Sequence, residues 1–542
     1  MDAIALGIMW DRLISITDEI VSTLVRTSFS TIVREAYDLT AVITDADGHL
    51  LAQGSWSAPP FIGTAPLTMA HTMKKFPPHT LKPGDVLATN DPWIGTGHMF
   101  DITVMRPVFK GDRLVGYTMS ITHLPDIGGT GFGATATEIY HEGLRLPLCK
   151  LLKEGEVNEF LLELIEANVR VPEQVLGDVM ANVACNEVGG RQLLEFMEEQ
   201  DLDDLTDLSV AIRDQSERMT RAAIAEIKDG TYWNSLQIEG IDEPITLACR
   251  IDVEGERVHI DMAGTDPAVE RGINVPYCYT NAMSLYSLKC LTVPSLPNNE
   301  GATKPITVAA PEGCILNAQP PSPTGGRHII GHFVSPLIFG ALAEAAPDSV
   351  QADTGMLDLM NFVGTHKSGR GVSTIYFASG GFGALQNHDG PPTLPGPSNM
   401  AVVPAEVWES VTSTLIEKRT LLPDSGGSGA ARGGLGQEVV IRNDSGHPMT
   451  VFSMANRCEF PPLGLLGGND GPLREHLING ETVHPKARHV LAPGDRVTLK
   501  QPGGGGFGPV AERPRDKIIA DVRHGFVSIE GAKRDYGVDV DG

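Results

Sequence analysis

Between Asn90 and Glu142 the chain reads NDPWIGTGHMFDITVMRPVFKGDRLVGYTMSITHLPDIGGTGFGATATEIYHE, which gathers His98, Asp101, His123, Asp126 and Glu138 among glycines and alternating apolar residues. Only Met99 and Phe100 separate His98 from Asp101, so both side chains can converge on one point from a turn. Two neutral imidazoles and one carboxylate form a ligand set suited to divalent Zn, Mn or Fe, with positions left open for water or substrate. Asp126 and Glu138 are then candidates for a general base or for orienting the ligands, and Asp91 is a further candidate for orienting His98 or His123. Each residue also has a plainer reading. His98 could cap a turn, His123 could be a hydrogen-bonded core histidine, and Asn90-Asp91-Pro92 is an ordinary turn sequence. No short metal motif such as H-E-x-x-H decides between them.

These residues need a hairpin to bring them together. Ile102, Val104 and Val108 are strand formers, Lys110-Gly111-Asp112 supplies a turn, and Leu114-Val115-Gly116-Tyr117 begins the return. Antiparallel pairing about Gly111 would place Asp101 beside His123. Upstream, Leu6, Trp10, Leu13, Ile16, Ile20 and Leu24 have the spacing of an amphipathic helix, and LTAVITDADGHLLAQ reads as a second hairpin after a segment carrying Arg34, Glu35 and Asp38. Trp56 to Pro66 reads as a loop and Leu67 to Lys75 as a helix.

Downstream, Val157 to Gly230 is helical in pattern, with Pro172 and Glu173 suited to a helix start and Gly230 to a helix end. ITLACRIDVEGERVHIDMAG is another hairpin, Thr280 to Leu291 a short helix, and Gly325-Gly326-Arg327-His328 opens a helical stretch through Ala346. From Val350 onward the chain is Gly/Pro-rich and reads as β-structure with long loops. The expected fold is α+β, large and multi-layered, with divisions at 1–156 (the candidate metal region), 157–230 (helical), 231–349 (mixed) and 350–542 (β-rich).

The whole chain has 542 residues, 41% hydrophobic and 20% charged, the balance of a globular protein. A net charge of −26 with no basic run argues against nucleic acid and anionic membrane surfaces as partners. With no apolar run of about 20 residues and no signal-peptide pattern, the expected location is cytoplasmic. The seven cysteines lie far apart without a C-x-x-C pair, as buried thiols would. Three glycine clusters, Gly380–Gly383, Asp424–Gly436 and Pro502–Gly508, lack the phosphate-loop signature and are expected to serve tight turns or close backbone packing.

Read together and in order, RLISITDEIVSTLVRTSFSTIVREAYDLTAVITDADGHLLAQ, TNDPWIGTGHMFDITVMRPVF, THLPDIGG, EIYHEGLRLPLCKL, ANVRVPEQVLGDVMANVACNEVGGRQLLE, PDSGGSGAARGGLGQ and PGGGGFG resemble the hydantoinase B/oxoprolinase family almost from end to end. That resemblance implies a B-type subunit of an ATP-dependent hydrolase of cyclic amides: hydantoins, 5-oxoproline or lactams. The partner would be an A-type subunit that binds ATP and Mg and phosphorylates the ring amide, in a hetero-oligomer such as a dimer of heterodimers. It also implies His98, Asp101 and His123 as ligands of one divalent metal. TGHMFD stands where the family often has T-H-x-x-D, and Leu124-Pro125 replaces the H-A of many relatives, which removes an adjacent imidazole. Two alternatives stand beside this expectation: a subunit of an ATP-dependent ketone carboxylase of the acetone or acetophenone type, whose comparable subunits are longer, and a non-catalytic interface subunit. For the substrate pocket, Arg34, Trp56 and Trp93 are the residues considered.

Overall fold

The computed structural model describes residues 2–540, and among them the chain forms four β-sheets packed with helices, an α+β architecture. The first sheet has seven strands. Across it run Leu50–Gln53, Leu39–Asp45, Arg113–His123, Asp101–Lys110, Val86–Thr89, Cys149–Lys153 and Glu156–Val157, all antiparallel. Its central pair is the expected hairpin. The turn at Gly111, with φ +62°, sets a register in which Asp101 lies directly opposite His123. A glycine is needed there because other residues reach that φ only with strain.

One face of this sheet is covered by the long helices Ala3–Thr27 and Pro172–Glu199. The first buries Leu6, Trp10, Leu13, Ile16, Ile20 and Leu24, the stripe expected from their spacing. The second docks through a polar ladder. Asn182 accepts from Ser120 (2.7 Å) and donates to Thr122 (2.9 Å), while Asn186 donates to Ser120 (2.6 Å), all fully buried. Since a one-residue slip would leave these groups unpaired in the core, the ladder pins the strand that ends at His123.

A helix from Phe61 to Lys75 packs near the site, beginning six residues before the expected Leu67. Pro66 and Gly63 read as loop residues, yet both lie inside it. Gly63 is required by tertiary contact: a Cβ there would stand 2.5 Å from Cα of Ala282, on the neighbouring helix Tyr277–Thr292. The stretch opened by Arg327 forms two helices, Arg327–Gly331 and Val334–Leu342.

The second sheet (order Ile306–Ala309, Arg257–Asp261, Ile245–Glu254, Gly230–Ile238) contains the hairpin expected around Gly255. In the third, Leu357–Thr365 pairs antiparallel with Gly371–Ser379 on one side and with Met449–Met454 on the other. The region after Val350 is β-rich as expected, and it also holds helices at Ala405–Thr412, Arg515–Arg523 and Ile529–Tyr536. One continuous apolar core runs from Ile32 to Phe507 and joins all four divisions.

The three glycine clusters meet in space. Segments around Gly381, Gly433 and Gly504, in neither helix nor strand, exchange backbone hydrogen bonds: Gly434 N–H to Phe382 O (2.8 Å), Gly504 N–H to Gly434 O (2.9 Å) and Gly427 N–H to Gly504 O (2.8 Å). Backbone lies against backbone throughout. A Cβ on Gly433 would stand 1.9 Å from Gly504 O, and one on Gly504 would stand 2.2 Å from Phe382 O. Close packing is therefore the role of these clusters, as expected from their lack of a phosphate-loop signature.

Candidate metal centre and its cavity

Asn90 ties down the loop that carries His98. Its amide donates to Met99 O (2.8 Å) and Leu144 O (3.0 Å) and accepts from Leu146 N–H (2.6 Å). The loop delivers His98 to the start of the central hairpin, so His98, Asp101 and His123 converge, each about 2% exposed. One ligand atom from each lies within 4.8 Å of the others. Each imidazole directs Nδ1 at a backbone carbonyl, His98 to Gly325 O (3.2 Å) and His123 to Leu124 O (2.9 Å). With Nδ1–H so engaged, Nε2 is left as a lone pair.

Among the described residues, both Nε2 atoms and Asp101 Oδ1 are buried without a hydrogen-bond partner. His98 Nε2 and Asp101 Oδ1 stand only 2.8 Å apart, yet not in hydrogen-bond orientation. Buried polar atoms are rarely left unsatisfied, and three converging on one point fit a divalent cation. Electrostatics agree with that fit. Burial and the Arg327 guanidinium lower the His98 pKa, and burial with the neighbouring His98 brings His123 down to about 3, so both stay neutral. Burial alone would raise Asp101, but His98 and Arg327 beside it hold the carboxyl below the usual range.

Asp101 is oriented by its other oxygen, Oδ2, which accepts from Thr96 Oγ1 (2.6 Å) and Arg327 Nη2 (2.8 Å). Arg327 also donates to Thr96 O (2.6 Å) and lies 4.2 Å over the Tyr279 ring. Gly97, with φ +94°, makes room for it, since a Cβ there would come within 2.7 Å of Arg327 Cδ. On the far side Glu142 Oε1 accepts the N–H groups of Thr324 and Gly325 (2.7 Å each), holding the peptide whose carbonyl receives His98. Burial pushes the Glu142 carboxyl up to about 8.

The triad opens into a cavity of about 50 Å³. That is room for only a few waters, at roughly 10–15 Å³ each on this measure. Polar groups on its wall include Asp38, Tyr279, His328, His332 and Ser398; Phe61, Phe132, Leu357, Leu359, Phe377 and Met400 supply apolar surface. Asp38 is raised to about 8 by burial and by Asp101, and burial with its neighbour His332 holds His328 well below the usual imidazole range.

Of the residues singled out from sequence, the triad comes together and the others do not join it. Asp126 is buried, but its carboxylate is taken up by the Arg170 guanidinium (2.6 Å), the Arg170 backbone N–H and Gly128 N–H (3.2 Å), which shapes the turn after His123. Glu138 is half-buried beside His141 (3.2 Å), away from the triad's cavity. Asp91 caps its own turn through Trp93 N–H (3.1 Å), the plainer of its two readings. Arg34 and Trp56 are exposed, and Trp93 donates to Ala318 O (2.9 Å); none of the three lines the cavity. Asp38, Arg327, His328, His332 and Glu142 were not picked out as site residues. The pair His328 and His332, four apart beside Gly325-Gly326, is the one signal that could have found part of this wall.

The Hydantoinase B/oxoprolinase family model matches residues 2–510. The beta chain of the caprolactamase of Pseudomonas jessenii is 30% identical, covering 100% of this chain and 97% of its own. A putative D-/L-hydantoinase B-type chain of Pseudomonas sp. (strain NS671) is 29% identical over 100% of this chain and 95% of its own. The crystal structure of the ATP-dependent caprolactamase from Pseudomonas jessenii superposes with a TM-score of 0.91 at 27% identity, covering 100% of this chain and 97% of that one. A nucleotide-free acetone carboxylase shares the fold at a TM-score of 0.89 and 17% identity, over 100% of this chain and 80% of that one. With a family model spanning nearly its whole length, the chain belongs to the hydantoinase B/oxoprolinase family.

Proposed function

We propose that this chain is the B-type, metal-bearing subunit of an ATP-dependent cyclic amide hydrolase, completing ring opening of a substrate activated by an A-type partner that binds ATP and Mg. The observation that carries this reading is the convergence of three unpartnered buried atoms, His98 Nε2, Asp101 Oδ1 and His123 Nε2. These residues would hold a divalent Zn, Mn or Fe ion, which when bound supplies Lewis-acid polarisation of an oxygen and makes water more acidic. The names of the relatives, the beta chain of a caprolactamase and the B-type chain of a hydantoinase, support both the reaction class and the partner.

The chain's own groups then have distinct tasks. Asp38 lines the cavity outside the ligand set and is the carboxyl placed to exchange a proton with water there. It takes the place considered for Asp126, Glu138 and Asp91, which point elsewhere. Arg327 fixes Asp101 and offsets its charge, while Glu142 and Gly325 set the tautomer of His98. The small, apolar-walled cavity keeps bulk water from the reacting carbonyl.

Co-expression with an A-type subunit tests the reading, with ATP hydrolysis and ring opening followed over hydantoins and lactams and metal measured by elemental analysis. His123→Ala should lose both metal and ring opening. Turnover that survives loss of the metal would make this an interface subunit only, and incorporation of labelled bicarbonate carbon into product would mark it as a carboxylase.

A further inference from the structure

Arg327 and His328 stand side by side on the wall of the triad's cavity, and each keeps a nitrogen unused. Nε of Arg327 donates to Thr96 O and Nη2 to Asp101 Oδ2, which leaves Nη1 without a protein partner among the described residues. The guanidinium is held in place, because two of its nitrogens are engaged and its carbon lies 4.2 Å from the centre of the Tyr279 ring. His328 is 4% exposed, and among the described residues its Nε2 is buried without a hydrogen-bond partner. Leaving a guanidinium edge and an imidazole nitrogen unsatisfied in the interior is costly, so both point to a ligand with hydrogen-bonding oxygens.

The charge on the wall favours an anion as that ligand. Among the described residues lining the cavity, Arg327 is the sole lysine or arginine, and Asp38 and Asp101 are the carboxyl groups. Even with both carboxyls ionised, Arg327 and one divalent cation at the triad outweigh them. Burial and the neighbouring Asp101 raise Asp38, which reduces the opposing charge further. Burial with its neighbour His332 keeps the His328 imidazole neutral, and a neutral imidazole carries one N–H for one acceptor. A fixed guanidinium nitrogen and a single imidazole N–H together suit the spread oxygens of a tetrahedral anion better than the lone oxygen of a carbonyl.

We propose that Arg327 Nη1 and the imidazole of His328 form an oxyanion subsite beside the metal centre, which holds the phosphoryl group of the activated ring. This inference rests on the hydrolase reading above, with the ring activated as a phosphate by the A-type partner. The subsite keeps that group from water. Water attack at phosphorus would bond the water oxygen to phosphorus, break the bond from phosphorus to the ring oxygen and place one water proton on the ring nitrogen. The other proton would leave with phosphate, so ATP would be consumed with the ring unopened.

Two measurements test the subsite, one without turnover and one with it. Inorganic phosphate is titrated by calorimetry into the full chain saturated with zinc, and zinc content is read by elemental analysis. His328→Leu removes the donor and should weaken phosphate by about tenfold or more at the parent's zinc content, the scale of one hydrogen bond to a charged group. His328→Gln keeps a donor and should stay within about threefold of the parent. His328→Ala replaces the leucine variant if that one does not fold. In the complete complex with the A-type partner, ATP hydrolysed per ring opened should rise about threefold or more in His328→Leu and stay near the parent in His328→Gln. No phosphate binding by the parent chain, or equal affinity in the variant without a donor, as when zinc alone holds the anion, overturns the inference. Weakened phosphate with an unchanged ratio of ATP to opened ring overturns it as well, since the site would then serve free phosphate only. If no ring is opened with ATP, the hydrolase reading fails on its own, and the phosphate titration alone decides the subsite.

Discussion

Replacing Glu142 by Gln isolates one charge behind the metal centre. The Glu142 side chain is buried, Oε1 accepts two backbone N–H groups, and Oε2 has no partner among the described residues. Burial raises its pKa from 4.5 to about 8, while the two N–H groups oppose the rise. A carboxyl raised on folding holds in the native state a proton that the unfolded chain sheds. Stability contributed by Glu142 is therefore highest below pH 4.5 and declines as pH climbs to about 8. At about 1.4 kcal/mol per pH unit, the full decline is roughly 5 kcal/mol. Glutamine keeps the carbonyl acceptor but cannot ionise, so Glu142→Gln should match the parent near pH 5 and exceed it above pH 8. With about 2.1 cal/mol/K of unfolding entropy per residue, a chain of 542 residues gains about 4 °C in Tm for that difference. The assay is Tm against pH for both proteins, metal-free under chelator, where the difference curve removes every other titration. Parallel curves would show that Glu142 is ionised throughout, and a variant less stable at every pH would show that its charge is needed to hold Thr324 and Gly325.

Other substitutions divide the site into its working parts. Arg327→Met should lower zinc affinity by about 10- to 100-fold in a chelator competition, since Asp101 Oδ2 loses its guanidinium partner; unchanged affinity would remove Arg327 from the positioning role. Asp126→Asn should leave zinc affinity within about threefold while lowering Tm by about 2 °C, a loss of about 2 kcal/mol discounted for the partial exposure of Arg170. A selective loss of turnover with Tm unchanged would return Asp126 to the chemistry. Gly504→Ala forces a Cβ to within 2.2 Å of Phe382 O and should cost about 3 kcal/mol, read as a Tm lowered by about 3 °C.

How far the site was legible from sequence depends on the chain distance between its parts. The triad was legible because two strands joined by a short turn at Gly111 fold back on themselves, so the positions of Asp101 and His123 along the chain determine their meeting. Arg327, His328 and His332 meet the triad across more than two hundred residues, and no local periodicity encodes that approach. Asp126 looked chemical because it follows His123 by three residues; its carboxylate is instead directed at Arg170, a contact invisible to spacing. The helix at Phe61 was missed because Pro66 and Gly63 are breakers by propensity, overruled by packing on Ala282. The helices Arg515–Arg523 and Ile529–Tyr536 bury too few apolar side chains to show a stripe.

The meeting of the three glycine segments also bears on how this region can change. Every single-base change in a glycine codon that alters the amino acid introduces a Cβ or a stop. At Gly381, Gly433 and Gly504 that atom would fall within 2.2 Å of a carbonyl oxygen on another segment. A neighbouring side chain can adopt another rotamer, but a backbone oxygen in a hydrogen-bonded stack has nowhere to retreat. Substitution in one segment of the stack cannot be answered by a smaller residue opposite, because the obstructing atom is a backbone oxygen that every residue carries. Change in this part of the molecule is thus confined to its flanks and loops, while the stack itself passes on intact or is lost.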